Sequence, residues 1–224
     1  MQSPVSHKIL NSQFWLTTDR TMYWEEEKAL IVSDLHFGKT GHFRKSGIAI
    51  PPSVYKEDLQ RLVVQIQFFQ PRELIIVGDM FHSTANKELE LFLKWRSDLS
   101  DLNIRLVRGN HDILQEAWYE NAGIHLCPES LSRNHFHFIH DISDKPEFFK
   151  NTRTSSSYFF SGHIHPGIRI QGAGKQSLCF PCFYFGKKYA VLPAFSRFTG
   201  VAMIYPETGE HVFAIVNQEL IRMQ

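Results

Sequence analysis

Apolar and polar positions fall in short alternating blocks at the start of the chain. "SQFWLTTDRTMYWEEEKALIVSD" holds three apolar stretches separated by the polar turns Thr18-Asp19-Arg20 and Glu25–Lys28, a strand–turn–strand–turn–strand pattern. The period then changes. Leu59, Leu62, Val63, Ile66 and Phe69 recur at helical spacing behind Pro51 and Pro52, which predicts a helix over 52–70. "ELIIVGD" (73–79) predicts a buried strand, and 85–99, with Leu89, Phe92, Leu93 and Trp95, a helix. "IRLVRGN" (104–110) predicts the next strand and 113–120 a short helix. Strands dominate after that, with Ala173-Gly174-Lys175 in a hairpin turn. This order predicts an α/β chain with a parallel sheet, crossover helices and a further sheet packed against it.

Composition sharpens the picture. The 224 residues are 43% hydrophobic and 21% charged, with 19 Phe, which is globular and sufficient for a sizeable core; we read residues 1–224 as one domain. A formal net charge of +1 gives no global positive field, so strong nucleic-acid binding requires a local basic patch. No apolar run approaches a membrane span, and "MQSPVSHKIL" lacks the features of a signal peptide. Cys127, Cys179 and Cys182 cannot all pair with one another, which suits a reducing cytoplasm. The Cys179–Cys182 spacing has no further zinc ligands beside it and predicts two buried strand residues.

The chemistry lies at the ends of the apolar runs. "ALIVSDLH" ends in Asp34 and His36, "ELIIVGD" in Asp79, and "IRLVRGNHD" in Asn110, His111 and Asp112. "FHFIHD" ends in His140, and "YFFSGHIH" in His163 and His165. Any one of these alone is readable as an ordinary polar turn. Five in succession, each on a metal-competent side chain, point to a shared site beyond the carboxyl ends of the strands. In "HFHFIH" the alternation puts Phe136, Phe138 and His140 on the core face and His135 and His137 toward water. In "GHIHPG", His163 and His165 address one object if the backbone stays extended. Three oxygen-bearing and four imidazole ligands exceed one four-coordinate zinc and suit two ions with one carboxylate bridging. Without thiolate, the set fits Mn²⁺ first, with Fe or Zn²⁺ as alternatives. Such a pair, about 3.5–4 Å apart, supports in-line phosphoryl displacement.

The pattern D-x-H, GD, GNHD, a lone His and GHxH resembles the calcineurin-like metallophosphoesterases. That resemblance implies a two-sheet β-sandwich flanked by helices, a four-layer αββα arrangement. "DLHFGKTGHFRKSGIAIP", "GDMFHS" and "CFPCF…LPAFSRFTG" extend the likeness to the ligase-associated DNA damage response endonuclease group, across nearly the whole chain. By resemblance, Asp34, His36 and His165 hold one metal, Asn110, His140 and His163 the other, and Asp79 bridges. The nucleophile is a hydroxide between the ions, and His111 is the acid or charge stabiliser at the leaving oxygen. His82 and Asp112 stand behind these groups. Two positions depart from the family: His82 stands where many relatives carry an acidic residue, and Asp141 where many carry Gly.

Lys39, Arg44 and Lys45 follow the first ligands closely, and Lys39 and Arg44 are candidate phosphate contacts. The expected activity is therefore a metal-dependent phosphodiesterase or nuclease acting on DNA. By resemblance it works in repair, beside a ligase and a helicase. The alternatives are hydrolysis of small phosphoesters, which the near-neutral charge favours, and a non-catalytic scaffold, which the intact ligand set disfavours.

Overall fold

The computed structural model describes residues 2–39, 53–82, 87–143, 157–172, 174 and 176–223. Two β-sheets pack face to face. The first contains, in spatial and chain order, β1 (Val5–Ile9), β2 (Ser12–Leu16), β3 (Met22–Trp24), β4 (Ala29–Val32), β5 (Glu73–Val77), β6 (Asn103–Val107) and β7 (Ile124–Cys127). Strands β1 to β4 form an antiparallel meander, and β4 to β7 run parallel. The helices α1 (Ser53–Phe69), α2 (Lys87–Asp98) and α3 (Glu116–Asn121) make the parallel crossovers, as the change of hydrophobic period predicts. Strand β1 escapes that reading because its sequence, VSHKI, alternates about an exposed edge with little apolar signal. Helix α3 begins later than expected because residues 109–113 fold back on themselves: Ile113 N–H donates to His111 O at 2.9 Å.

The second sheet holds β8 (Leu131–Arg133), β9 (Phe136–Ile139), β10 (Tyr158–Ser161), β11 (Pro166–Gln171), β12 (Ser177–Phe185), β13 (Tyr189–Val191), β14 (Ala202–Met203), β15 (His211–Val216) and β16 (Glu219–Arg222). Its order is β14-β11-β12-β13-β10-β9-β8, with β15 and β16 continuing from β12. Strands β9, β10 and β13 are mutually parallel. The connection between β11 and β12 is the predicted hairpin, with Gln171 opposite Ser177; Ala173 and Lys175 in it lie outside the described residues.

Alternation decides where the core sits. Phe14, Leu16, Met22, Trp24, Ile31, Ile75 and Val77 of the first sheet meet Phe136, Phe138, Phe160, Phe183 and Phe213 of the second. Trp24 and Phe136 lie edge to face at 4.9 Å, and Phe138 stacks on Phe160 at 5.2 Å. Each fully buried large side chain contributes about 1.5–3 kcal/mol, so this interface is the main adhesive between the sheets. The opposite face of the first sheet (Leu30, Val32, Leu74, Ile76, Leu106) takes Leu62 and Ile66 of α1, Leu89 and Phe92 of α2 and Tyr119 of α3. The outer face of the second sheet carries a smaller cluster around Cys182, Tyr184, Val191 and Val212.

Of the two cysteines predicted to be buried strand residues, Cys182 is buried but Cys179 is exposed. Residues three apart in a strand face opposite sides, and the first residues of β12 project beyond the sandwich. At the end of the first sheet where β5 and β6 begin, buried Glu73 accepts from Arg105 Nε at 2.6 Å and Arg133 Nη1 at 2.5 Å, pinning β5 to β6 and to β8 of the second sheet.

Candidate metal centre

Parallel neighbours end at the same edge of a sheet. Asp34 and His36 follow β4, Asp79 follows β5, Asn110–Asp112 follow β6, His140 follows β9, and His163 and His165 follow β10. These ends meet where the two sheets abut. Asp34, His36 and His165 bring their ligand atoms within 4.8 Å of one another, and Asp79, His140 and His163 do the same. His165 Nε2 lies 3.2 Å from Asp34 Oδ1 and 3.4 Å from His36 Nε2. His140 Nε2 lies 3.5 Å from Asp79 Oδ1 and 3.2 Å from His163 Nδ1. The clusters adjoin: the backbone N–H of His163 donates to both Asp34 oxygens, at 3.1 and 3.3 Å.

The backbone at these residues is unusual. Asp34, His36, Asp79, His163 and His165 all have left-handed φ, between 49° and 62°. A non-glycine residue there costs about 1–3 kcal/mol and persists only where its surroundings enforce it. Such strain aims side chains inward that a regular strand would point away. It also corrects the expectation for GHIH: the segment is a turn, not an extended strand. His163 and His165 face different clusters because the chain reverses between them, with Ile164 N–H donating to Gly162 O at 2.7 Å.

Glycine precedes three of the ligand groups for reasons of space. A Cβ on Gly78 would lie 1.9 Å from His140 Nδ1, and one on Gly162 would lie 1.9 Å from Ser33 Oγ and 2.6 Å from Asp34 Oδ2. The ligands approach so closely that no side chain fits between them.

Supporting contacts fix each ring. His140 Nδ1 faces Val77 O at 3.3 Å; a carbonyl only accepts, so Nδ1 carries a proton and Nε2 is turned to Asp79. His163 presents Nδ1 to the cluster, with Nε2 3.4 Å from Asp141 Oδ2. The buried carboxylate of Asp112 accepts from the N–H groups of Met80, Phe81 and Gly109 at 2.9–3.1 Å, joining the loops after β5 and β6. Burial, only partly offset by those backbone donors, raises its pKa to about 7. Ser33, buried beneath Asp34, turns its hydroxyl to Asp34 Oδ2 and Val77 O. Ser161 donates to His140 O at 2.9 Å. Both serines escaped sequence reasoning; the available signal was a lone hydroxyl closing an otherwise apolar run, "ALIVS" and "YFFS".

The electrostatics are polarised. Burial opposes charge on Asp79, but the hydrogen bond and charge of His140 and the N–H of His111 outweigh it and hold the carboxyl well below the usual range. Burial likewise depresses His140, yet Asp79 and Asp34 raise its pKa to about 9. Cation binding is therefore coupled to loss of that proton. His36 is depressed to about 3, chiefly by burial.

The remaining predicted residues distribute as follows. Asn110 lines a cleft of about 260 Å³ together with His140, Asp141 and Arg108. His111 is half exposed at the mouth, with its N–H on Asp79 Oδ1 at 2.9 Å and its Nε2 3.9 Å from Asp79 Oδ2. The ring of His82 lies 4.2 Å from that of His111, a tilted contact between two imidazoles. Lys39 is partly buried; burial lowers its pKa, opposed by the charges of Asp79 and Asp34. Phe37 belongs to the core. Arg44 and Lys45 lie outside the described residues.

The donor set fits metal ions. In each cluster a ring nitrogen faces both another ring nitrogen and a buried carboxylate oxygen, and one proton per nitrogen cannot serve both. Converging lone pairs of this kind suit a cation, and oxygen and imidazole donors without thiolate suit a divalent one.

Solved structures resemble this chain to different degrees. The crystal structure of Pseudomonas putida nuclease MPE superposes with a TM-score of 0.77 at 26% identity, covering 95% of this chain and 96% of that one. A protein of unknown function from Aquifex aeolicus, AQ665, gives a TM-score of 0.45 at 15% identity, covering 66% of this chain and 82% of that one. No curated protein matches the sequence. The family model for calcineurin-like phosphoesterase matches residues 28–176, a span that begins at β4 and includes every ligand-type residue from Asp34 to His165. A metal-dependent phosphoester hydrolase follows from that match, and the chain belongs to the calcineurin-like phosphoesterase family.

Proposed function

We propose that the protein is a two-metal phosphodiesterase that cuts DNA. The observation that carries this reading is the pair of adjoining donor clusters, Asp34/His36/His165 and Asp79/His140/His163, sharing the turn at 163–165. Likeness to a nuclease across nearly the full length of both chains supports the substrate class.

Asp34, His36 and His165 would hold one divalent cation and Asp79, Asn110, His140 and His163 the other. Mn²⁺ suits this donor mixture best, and Fe or Zn²⁺ share its preferences. What such a pair supplies when bound is a water polarised toward nucleophilic attack and neutralisation of charge on the phosphate oxygens. The chain's own residues do the rest. Asp112 and the glycines before the ligands hold the loops in register. His111, half exposed beside Asp79, offers a proton to the departing oxygen. Lys39 and Arg44 steady the phosphate.

The motifs shared with ligase-associated endonucleases support a repair setting beside a ligase and a helicase. Free Cys127, Cys179 and Cys182 support a reducing, cytoplasmic location. Among the described residues no helix is long and apolar enough to cross a membrane.

The test is Mn²⁺ titration of metal-free protein with bis-p-nitrophenyl phosphate, single-stranded DNA, duplex DNA and cyclic nucleotides. DNA cleavage that depends on Mn²⁺ supports the reading. Turnover of cyclic nucleotides alone would make the protein a small-phosphoester hydrolase, and no turnover with any divalent ion would make it a scaffold.

A further inference from the structure

Beside the metal centre, and separate from it, lies a cavity of about 350 Å³ whose polar lining includes Thr18, Asp19, Arg20, Arg197 and Gln218. Strand β3 runs antiparallel to β4, so the β2–β3 turn carrying Thr18, Asp19 and Arg20 sits next to the end of β4 from which Asp34 projects. This part of the cavity's lining therefore lies at the catalytic end of the sandwich.

One backbone segment is the wall between the two. On one side, Phe195 N–H donates to Ser33 O at 2.7 Å and Ser196 N–H to Asp34 O at 3.2 Å. On the other, Arg20 Nη1 donates to Ala194 O at 3.0 Å and Ser196 O at 2.7 Å. Behind it, Arg61 of α1 closes a buried ion pair with Asp58 at 2.7 Å, and its guanidinium lies 4.0 Å over the Phe195 ring.

The charges do not balance. Among the described residues, Arg20, Arg61 and Arg197 face the carboxylates of Asp58 and Asp19, and Asp58 is taken by Arg61. Burial, then the neighbouring charges of Arg61 and Arg197, depress the Arg20 pKa to about 10, so the group is crowded by cations yet still charged at neutral pH. Arg197 keeps 57% of its side chain exposed, and its ion pair with Asp19 Oδ1 is loose at 3.6 Å. A planar donor fork held at the rim of a polar pocket suits a phosphate oxygen pair.

We infer that this pocket binds a second phosphate group of the substrate strand, one adjacent along the chain to the scissile phosphate, through Arg197 with Arg20 and Thr18. The inference rests on the nuclease reading and adds to it: a substrate must carry consecutive phosphodiesters to use both sites. The pocket selects oligonucleotides over small diesters, although the molecule has no broad positive field.

The experiment compares wild type, Arg197→Gln and Arg197→Lys on a single-stranded oligonucleotide and on bis-p-nitrophenyl phosphate, over a range of salt. A charge-assisted contact is worth about tenfold or more in binding. Arg197→Gln is expected to raise KM for the oligonucleotide about tenfold, to shift the ratio of kcat/KM between the substrates by that factor, and to lower the salt slope by about one. Arg197→Lys is expected to keep the salt slope and recover part of the KM. An unchanged oligonucleotide KM overturns the inference. Equal loss on both substrates also overturns it, since Arg197 would then act through Ser196 on Asp34. Calorimetry with orthophosphate on the metal-free protein separates the sources: tight binding lost in Arg197→Gln would make this a free-phosphate site rather than a strand contact. Wild type that cleaves the small diester but no oligonucleotide removes the nuclease reading itself, a result distinct from an Arg197 variant indistinguishable from an active wild type.

Discussion

His163 and Asp141 face each other, Nε2 to Oδ2, at 3.4 Å, while the other ring nitrogen of His163 points into the metal cluster. Asp141 is itself steadied by Ser143, whose N–H and hydroxyl donate to Oδ1 at 2.8 and 2.7 Å. The carboxylate standing where many relatives have glycine thus fixes the proton on Nε2 and leaves Nδ1 free to ligate. Removing such a support weakens metal binding about 10–100-fold. Asp141→Ala should therefore weaken one of two Mn²⁺ binding events in calorimetry and leave the other intact. Two unchanged events would show the contact to be incidental.

Gly162→Ala should be severe. The added Cβ would overlap Ser33 Oγ and Asp34 Oδ2, so one of them must move. Overpacking of this kind costs about 1–3 kcal/mol in stability. The displaced carboxylate should cost far more in activity. Urea unfolding and diester turnover measured on the same preparation check both; wild-type turnover would contradict the tight packing.

His111→Ala tests the proton donor. General acid catalysis contributes about 10²–10⁴-fold, so kcat on DNA should fall by that order with little change in KM. p-Nitrophenolate leaves without help from an acid, so loss on bis-p-nitrophenyl phosphate should be much smaller. Equal losses would point to His111 acting on the ligand Asp79 instead.

His7 supplies a pH dependence remote from the site. Its ring packs 4.2 Å from Phe185, and burial, with His211 and Arg222 nearby, lowers its pKa to about 4. The unfolded chain then binds more protons between about pH 6.5 and 4. The contribution is present above pH 6.5 and is lost as the pH falls through that window. His7→Phe should flatten this part of the stability curve, read as urea midpoints of the chelated protein at pH 7 and 4.5. An unaltered slope would mean that His7 stays accessible to protons in the fold.

Much of the site was legible because each ligand follows an apolar run, and parallel neighbours bring such ends together. Asp34, Asp79 and His140 needed only that logic. The orientation of the ligands was not legible. The spacing of His163 and His165 suggested an extended pair, but it is the left-handed turn, with glycine before it, that divides them between clusters. Segment 194–196 showed only as part of the "LPAFSRFTG" motif; its role against Ser33 and Asp34 was not legible, because it contributes backbone N–H groups that any residue but proline possesses. Asp141 showed only as a departure from pattern; that it meets Nε2 of His163 depends on a ring orientation no spacing encodes.

The central claim is that these two clusters hold two cations at once. Anomalous scattering from crystals grown with Mn²⁺ tests it directly. The account predicts two peaks about 3.5–4 Å apart, one among Asp34, His36 and His165 and the other among Asp79, His140 and His163. A single peak, or two separated by much more than a shared carboxylate can span, would contradict it.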